Sequence, residues 1–457
     1  MATTVTDTLR KNFVDLLLNQ VTTSADSNQF YIGIGKSDVY DATDTTVTPI
    51  RTDKQEQDHR NNLQSIKKIE ASSFVIPRKN WSSGREYSAY SDAFEGIPTN
   101  EYYVITDINE VFICLKAAKN ASGVVQNSTV KPEVPAGKDR NKPFLLSDGY
   151  VWKFLYGLSA GRANSFLSAN FVPIEIITKD SSSSNAFELQ QLVVQNTAVG
   201  GQILGIELES NGAGYTSTPT VTIRGDGSAG ASTATLSGGS VVKVEMDNES
   251  AGFGSGYNFA SVLFSGGSPS KPAKARAVIG PKDGIGFDVR DDLKSSSLML
   301  NIKPDGTVSN TFIVGNDFRQ ISLMKGIKQF DSNGGLGNIF TGTSSKVMRS
   351  MKAQTTTAAA TLTIGREITD GSTPKIRAYI DDISDSSIFY HQNDSSGFGV
   401  FANSATISDG INSIVIDSGN IKPLVDQYSG ELLYLENRAR ILRDAAQQED
   451  IKVIVTV

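Results

Sequence analysis

The sequence is poor in the residues that most often perform chemistry. One cysteine, Cys114, and two histidines, His59 and His391, are present in 457 residues. A single thiol permits no disulfide framework, and one cysteine with two distant histidines has no zinc-binding spacing. Cys114 lies in the apolar run VFICLK, where a buried, inert thiol is expected and a Cys–His nucleophile pair is disfavoured. Neither GxSxG nor HExxH occurs. With 49 acidic residues, two carboxylates suited to glycoside cleavage are always available, so their presence decides nothing without geometry. Long apolar runs are also missing: nothing approaches the roughly 18 residues of a membrane span. The opening MATTVTDTLRKNF lacks the basic-then-apolar order of a secretion signal, so synthesis and folding in the cytoplasm are expected. Positive charge is not in excess. The net charge is -6, and KNWSSGR and RARILR are too short and interrupted for a nucleic-acid-binding stripe.

What is present is strand and turn. The hydrophobic set makes up 39% and charged residues 20%, enough to bury cores at a length that suggests more than one domain. One helix is expected near the start, where Leu9, Phe13, Leu16, Leu17 and Gln20 form a stripe at helical spacing and Thr6 or Asp7 can cap it. Beyond it, EYYVITDI, EVFICLKAA, GYVWKFLYGL and FVPIEIIT are runs of β-favouring residues separated by Asn, Gly, Asp and Pro turns. The closing DIKVIVTV places Ile451, Val453, Val455 and Val457 on one face of a strand. The fold class expected is mainly β: a multi-domain set of antiparallel sheets or sandwiches with one N-terminal helix and inserted β modules.

FYIGIGKSDVY, residues 30–40, contains Gly35, Lys36 and Ser37 in the order that closes a phosphate-binding loop. Such a loop needs a glycine where Phe30 stands, so that successive backbone N–H groups can wrap the phosphates, and a helix directly afterwards. The following DVYDATDTTVTP has poor helix propensity. A half-buried strand ending in a polar turn is the expectation. Two acidic turns, DSNGGLGN at 331–338 and DDISDSS at 381–387, lack the calcium-loop spacing and are expected to be solvated.

From KDSSSSN to GPKDGIG the composition turns rich in Gly and Ser, and two copies of one unit align. Each has an alternating strand, an acidic turn, a G-x-G-Y, a second strand and an Ala-rich third strand, with a period of about 40 residues. Tyr215 and Tyr257 are expected to anchor the glycine turns. Residues 376–410, with short strands and a GFG turn, suggest a small barrel-like module. The domain boundaries expected are 1–180 for a β core with its leading helix and 181–283 for the inserted two-unit repeat. Residues 284–365 continue the core, 366–420 form the small β module, and 421–457 return to the core.

Several blocks outside the insertions look specified for something other than catalysis: the strand beginning FYIGIGKSDVY, VIPRKNW, DGYVWKFLY, FRQISL, and SGELLYLENR with the acidic QQEDIKVIVTV end. In number, order and spacing these resemble the dimeric baseplate wedge protein of T-even-like contractile-tailed phages. The resemblance implies a β-rich structural subunit without enzymatic activity or cofactor, a homodimer in each wedge, held among other wedge proteins around the tail hub in the virion and assembled in the host cytoplasm. It singles out Pro77, Arg78, Trp81, Gly149, Tyr150, Trp152, Phe318, Arg319, Gln320, Gly430, Glu431, Tyr434, Glu436, Asn437 and Arg438 as fold and assembly residues. No catalytic, cofactor or metal residues are expected, and neither nucleic acid nor membrane insertion. The Gly-rich repeats and the proline-free NRARILRD depart from the family pattern. The alternative is a receptor-binding or adhesin-type tail protein that grips host glycan through exposed aromatics of the repeats and the 376–410 module. A third class, a polysaccharide-cleaving tail enzyme, would need two carboxylates facing one groove.

Overall fold

A computed structural model of the chain describes residues 4–22, 29–38, 47–94, 100–179, 181–247, 251–303, 317–442 and 450–457. The chain is mostly β, with several antiparallel sheets, a six-stranded closed barrel and a helix near the N-terminus. It divides into two compact units, one drawn from residues 1–16, 73–299 and 454–457, the other from 17–72 and 300–453. Parts of the segments after Ser37 and around QQED lie outside the described residues.

The helix Asp7–Thr22 forms where the stripe predicts it, and the Thr6 hydroxyl accepts from the Leu9 N–H at 3.3 Å. The stripe itself is not what it buries. Leu9, Phe13 and Leu16 are exposed, and Val14 is the one fully buried residue of the helix. The reason is electrostatic: Lys11 pairs with Asp291 at 2.6 Å and Asp288 at 3.3 Å, and Asp15 pairs with Arg290 at 2.9 Å. These pairs turn the charged face toward the protein.

In the first unit, the strands Tyr103–Ile105, Glu110–Lys116, Val151–Gly157 and Phe144–Leu145 form one antiparallel sheet in that order. Its inner face packs Val104, Phe112, Cys114, Tyr150, Trp152 and Phe154 around Tyr87. Burying each large side chain contributes about 1.5–3 kcal/mol. Cys114 is fully buried, and burial pushes its thiol well above the usual range. The helix Ala186–Asn196 adds Val194 to this cluster. It starts with a capping box in which Asn185 and Glu188 satisfy each other's backbone. The expected boundary at 181 therefore takes in a helix that packs with the sheet.

The strands that pair among themselves run from Ile203 to Ile279. Ile203–Ser210, the first strand of copy one, pairs with Lys274–Ile279, the third of copy two. Ser232–Ser237, the third strand of copy one, pairs with Ser240–Met246, the first of copy two, and the two second strands, Thr220–Gly225 and Ala260–Ser265, pair with each other. The copies thus exchange strands reciprocally and share one core. The G-x-G-Y glycines, Gly212, Gly214, Gly254 and Gly256, all have positive φ. Each tyrosine is buried and its hydroxyl accepts a backbone N–H, Tyr215 from Ala273 at 2.9 Å and Tyr257 from Gly230 at 3.2 Å.

In the second unit, a five-stranded sheet has the order Ser344–Lys346, Leu63–Lys68, Phe30–Gly35, Phe318–Lys325, Glu431–Ile441. FYIGIG is its fully buried central strand. Its glycines permit close approach rather than phosphate wrapping: a Cβ on Gly33 would stand 2.6 Å from Ser322 Oγ, and one on Gly35 would stand 2.3 Å from the Asn62 carbonyl. The closed barrel follows the order Arg349–Ala353, Ser387–His391, Arg377–Ser384, Glu367–Asp370, Thr406–Ser408, Ser413–Ile421. Met351, Ile368, Ile380, Ile388, Tyr390, Ile407 and Ile416 fill it at the strand period. Its first strand lies ahead of residue 366.

Candidate functional site

The residues singled out by resemblance meet in two networks. In the first unit, the Tyr103 hydroxyl donates to the Pro77 carbonyl at 2.6 Å, and the Arg78 guanidinium donates to Asn80 Oδ1 at 2.8 Å and the Ser168 carbonyl at 2.9 Å. Half-buried Trp81 donates from Nε1 to Ser128 Oγ at 3.2 Å, and Ser128 in turn donates to Asp148 at 3.0 Å. Asp148 leads into Gly149, whose φ of 88° turns the chain back toward Tyr150. Tyr150 stacks on Trp152 with ring centroids 6.0 Å apart. Its hydroxyl donates to the Gln126 carbonyl at 2.6 Å and accepts from the Tyr87 N–H at 3.2 Å. VIPRKNW and DGYVWKFLY, about 70 residues apart, are thus joined through one chain of polar contacts.

In the second unit, Phe318–Lys325 pairs antiparallel with Glu431–Ile441, with Gln320 opposite Asn437. Phe318 is buried, and Arg319 donates to the Ser37 carbonyl. Gln320 Nε2 donates to Asn437 Oδ1 at 3.0 Å, and its Oε1 lies 3.2 Å from Nδ1 of His59, which is completely buried. Burial, partly offset by Gln320, holds His59 at about 4, so its imidazole is neutral and Nδ1 is the donor. Arg60 fastens the start of SGELLYLENR by donating to the carbonyls of Gln427 and Ser429 at 2.8 Å and of Gly430 at 2.9 Å. Further along the strand, Tyr434 donates to Glu436 at 3.0 Å, and Glu436 pairs with Arg438 at 3.3 Å. Glu431 and Arg438 are exposed.

A third cluster surrounds His391. The acidic turn expected to be solvated places Asp381 in the interior, fully buried, with its Oδ2 2.5 Å from His391 Nδ1. The strand bulges after Ile380, so that Ile380 and Asp381 are buried in succession, while Asp382 pairs with Lys346. Asp381 Oδ1 accepts from Gln64 at 2.6 Å and Ser37 at 3.2 Å. On the other side of the ring, Asp38 lies 3.5 Å from His391 Nε2 and accepts from Asn393 at 2.9 Å. Burial opposes a charge on His391, but the two carboxylates outweigh it and raise the imidazole to about 10. The same contacts hold Asp38 below the usual range despite its burial. Ser, Asp and His are assembled here, but not as a nucleophile relay: Ser37 donates to the aspartate, not to the imidazole, and an imidazolium cannot take the serine proton. The other acidic turn is closed locally, Asp331 accepting from the N–H groups of Asn333 and Gly335 at 2.8 Å. Among the described residues, no group of three His, Cys, Asp or Glu is placed to hold a metal ion.

Among the described residues, cavities of ligand size include the following two. One, of about 500 Å3, lies within the first unit between the sheet and the repeats, lined by Tyr90, Phe94, Leu204, Met246 and Phe253 and bordered by the Lys116–Glu245 pair. The other, of about 540 Å3, opens at one mouth of the barrel in the second unit. No model of a known protein family matches the chain, and no curated protein matches it. The residues that sequence reasoning did not bring together are Asp38, His59, Arg60, Arg349 and Asp381. HQND, with its histidine beside strand-forming FY, was the one available signal.

Proposed function

We propose that the protein is a non-enzymatic structural subunit of a phage tail baseplate wedge, acting as a homodimer among other wedge proteins around the tail hub. The observation that carries this reading is the position of SGELLYLENR. It forms an 11-residue strand at the margin of the five-stranded sheet, and no strand among the described residues pairs with its outer side. A long open edge is a template for pairing with another chain. Arg60, from three carbonyl bonds, fixes where this strand begins. The register shift opposite Leu323 and Met324 leaves Leu433 as the bulged residue, exposed on the strand. Within the same unit, Phe318, Arg319 and Gln320 lie on the strand paired with it, Gln320 bonding directly to Asn437. The sealed Cys114 and the charged His391 lend further support, since neither is disposed as a nucleophile or a base.

The test is co-expression with the other wedge proteins of the same tail, followed by sedimentation of the complex and of the chain alone. A dimer that enters the wedge, and that Leu433→Lys weakens at least about tenfold, is expected. A chain that stays monomeric at micromolar concentration and joins no wedge protein would refute the reading.

A further inference from the structure

At the barrel mouth, Arg349 continues the inward-facing alternation of Met351 and Ala353, so its side chain leaves the barrel on the interior side, across from Tyr390. Its guanidinium is exposed and makes no hydrogen bond or ion pair among the described residues, although its charge reaches the phenols of Tyr390 and Tyr428. Phe330, Phe398 and Tyr428 join Tyr390 in the wall around it, and of these Phe398 is 62% and Tyr428 54% exposed. Lys422 lies over the Phe330 ring at 4.7 Å and donates to the Gly334 carbonyl at 2.9 Å. The one acidic side chain of the wall, Asp426, accepts from the Tyr428 N–H at 3.0 Å and pairs with no cation among the described residues. The mouth is therefore net positive, aromatic and open.

We propose that this mouth binds a carboxylate-bearing pyranose at the end of, or within, a glycan. A planar guanidinium without a partner is suited to a carboxylate, which it can hold by two parallel hydrogen bonds. Exposed aromatic faces suit the C–H faces of a sugar ring, where polarised hydrogens meet the negative π face. A volume of about 540 Å3 lies within the range of ordinary ligand pockets and admits one or two rings. An extended peptide is a poorer fit, because a closed barrel offers no free edge for strand addition. The Gly399 N–H, which a terminal carboxylate would seek, is already given to Gln392 at 3.3 Å. This site does not depend on the wedge reading.

The test uses the full chain and titrates oligosaccharides carrying galacturonate, glucuronate or N-acetylneuraminate, neutral lactose, and a short peptide with a free carboxyl terminus, by calorimetry. At least one acidic saccharide is expected to bind at least about tenfold more tightly than lactose, with binding weakened by salt. Arg349→Ala is expected to remove the preference for acid and Phe398→Ala to weaken binding of the same saccharide at least about tenfold. Both side chains are exposed, so unchanged melting temperatures check that the variants fold. Equal binding of acidic and neutral sugars, no binding of any acidic sugar, an Arg349→Ala variant that binds as the parent does, or preference for the peptide would each overturn the proposal.

Discussion

The charge on His391 makes an unusual demand on stability, and replacing it with glutamine tests the cluster directly. In the parent, an imidazolium lies between two carboxylates, with Asp381 fully buried. His391→Gln leaves Asp381 with the Gln64 and Ser37 donors but removes the imidazolium in contact with it. Breaking a buried pair in this way costs on the order of 3–5 kcal/mol. The rise from the ordinary histidine value to about 10 is of the same order. The pH dependence distinguishes this from simple loss of packing. Because the folded value lies above the unfolded one, the stabilisation is fully present below about 6.5 and is lost as pH rises through about 10. Urea unfolding of parent and variant at about pH 6, 7.5 and 9 should therefore show a deficit that is largest at the lowest pH and shrinks steadily. The difference between the two proteins is the quantity to follow, since Lys153, lowered to about 8, and Asp292, raised to about 8, titrate in the same window in both. A deficit below about 1 kcal/mol near pH 6, or one that does not change with pH, would refute the charged clamp.

His59 should behave in the opposite sense: burial lowers it to about 4, so its contribution is complete above about 6.5 and fades as pH falls toward 4, and His59→Gln should lose less stability than the parent between those values on acid titration. Calorimetry with ATP or GTP should detect no binding to GIGKS, while Gly35→Ala should cost several kcal/mol in unfolding experiments, because its Cβ meets backbone rather than a yielding side chain. Excision of the repeats between the paired residues Ile203 and Ile279, bridged by Asn-Gly, should leave a soluble protein with an unchanged oligomeric state in sedimentation. Removal of all of 181–283 should instead give an unstable or insoluble chain, because Val194 leaves the core of the first unit.

The strands were legible because runs of β-favouring residues between turn formers mark them even where every residue is buried, as in Val151–Gly157, and the repeats because their glycine turns recur in register. The helices were less so. Asp53–Asn62, DKQEQDHRNN, buries His59, Arg60 and Asn62 and has no apolar stripe at all, so hydrophobic periodicity cannot detect it. Ala186–Asn196 does carry a signal, the Asn185 and Glu188 capping box, but it stands at the edge of a Gly/Ser-rich region whose composition suggests a linker. The first helix failed in a different way: its periodicity found the helix, yet Lys11 and Asp15, the residues between the apolar ones, decide which side faces inward.

The same limit applies to function. A polar side chain acquires its role from its neighbours in space, and those neighbours are set by register. Asp381 and His391 occupy adjacent strands in which Tyr379 is opposite His391, and the bulge after Ile380 brings Asp382 opposite Phe389. Ser37 and Asp38 reach the same point from the end of a strand in another sheet. GIGKS looked like a site because its spacing resembles one, whereas its glycines answer to Ser322 and Asn62 and the residue that follows, Lys36, turns through a φ of 60°. Arg349 illustrates the converse. Nothing about an arginine before SMKA is informative until strand parity points it into a barrel mouth and no partner for it is found among the described residues, and at that stage its chemistry can be argued.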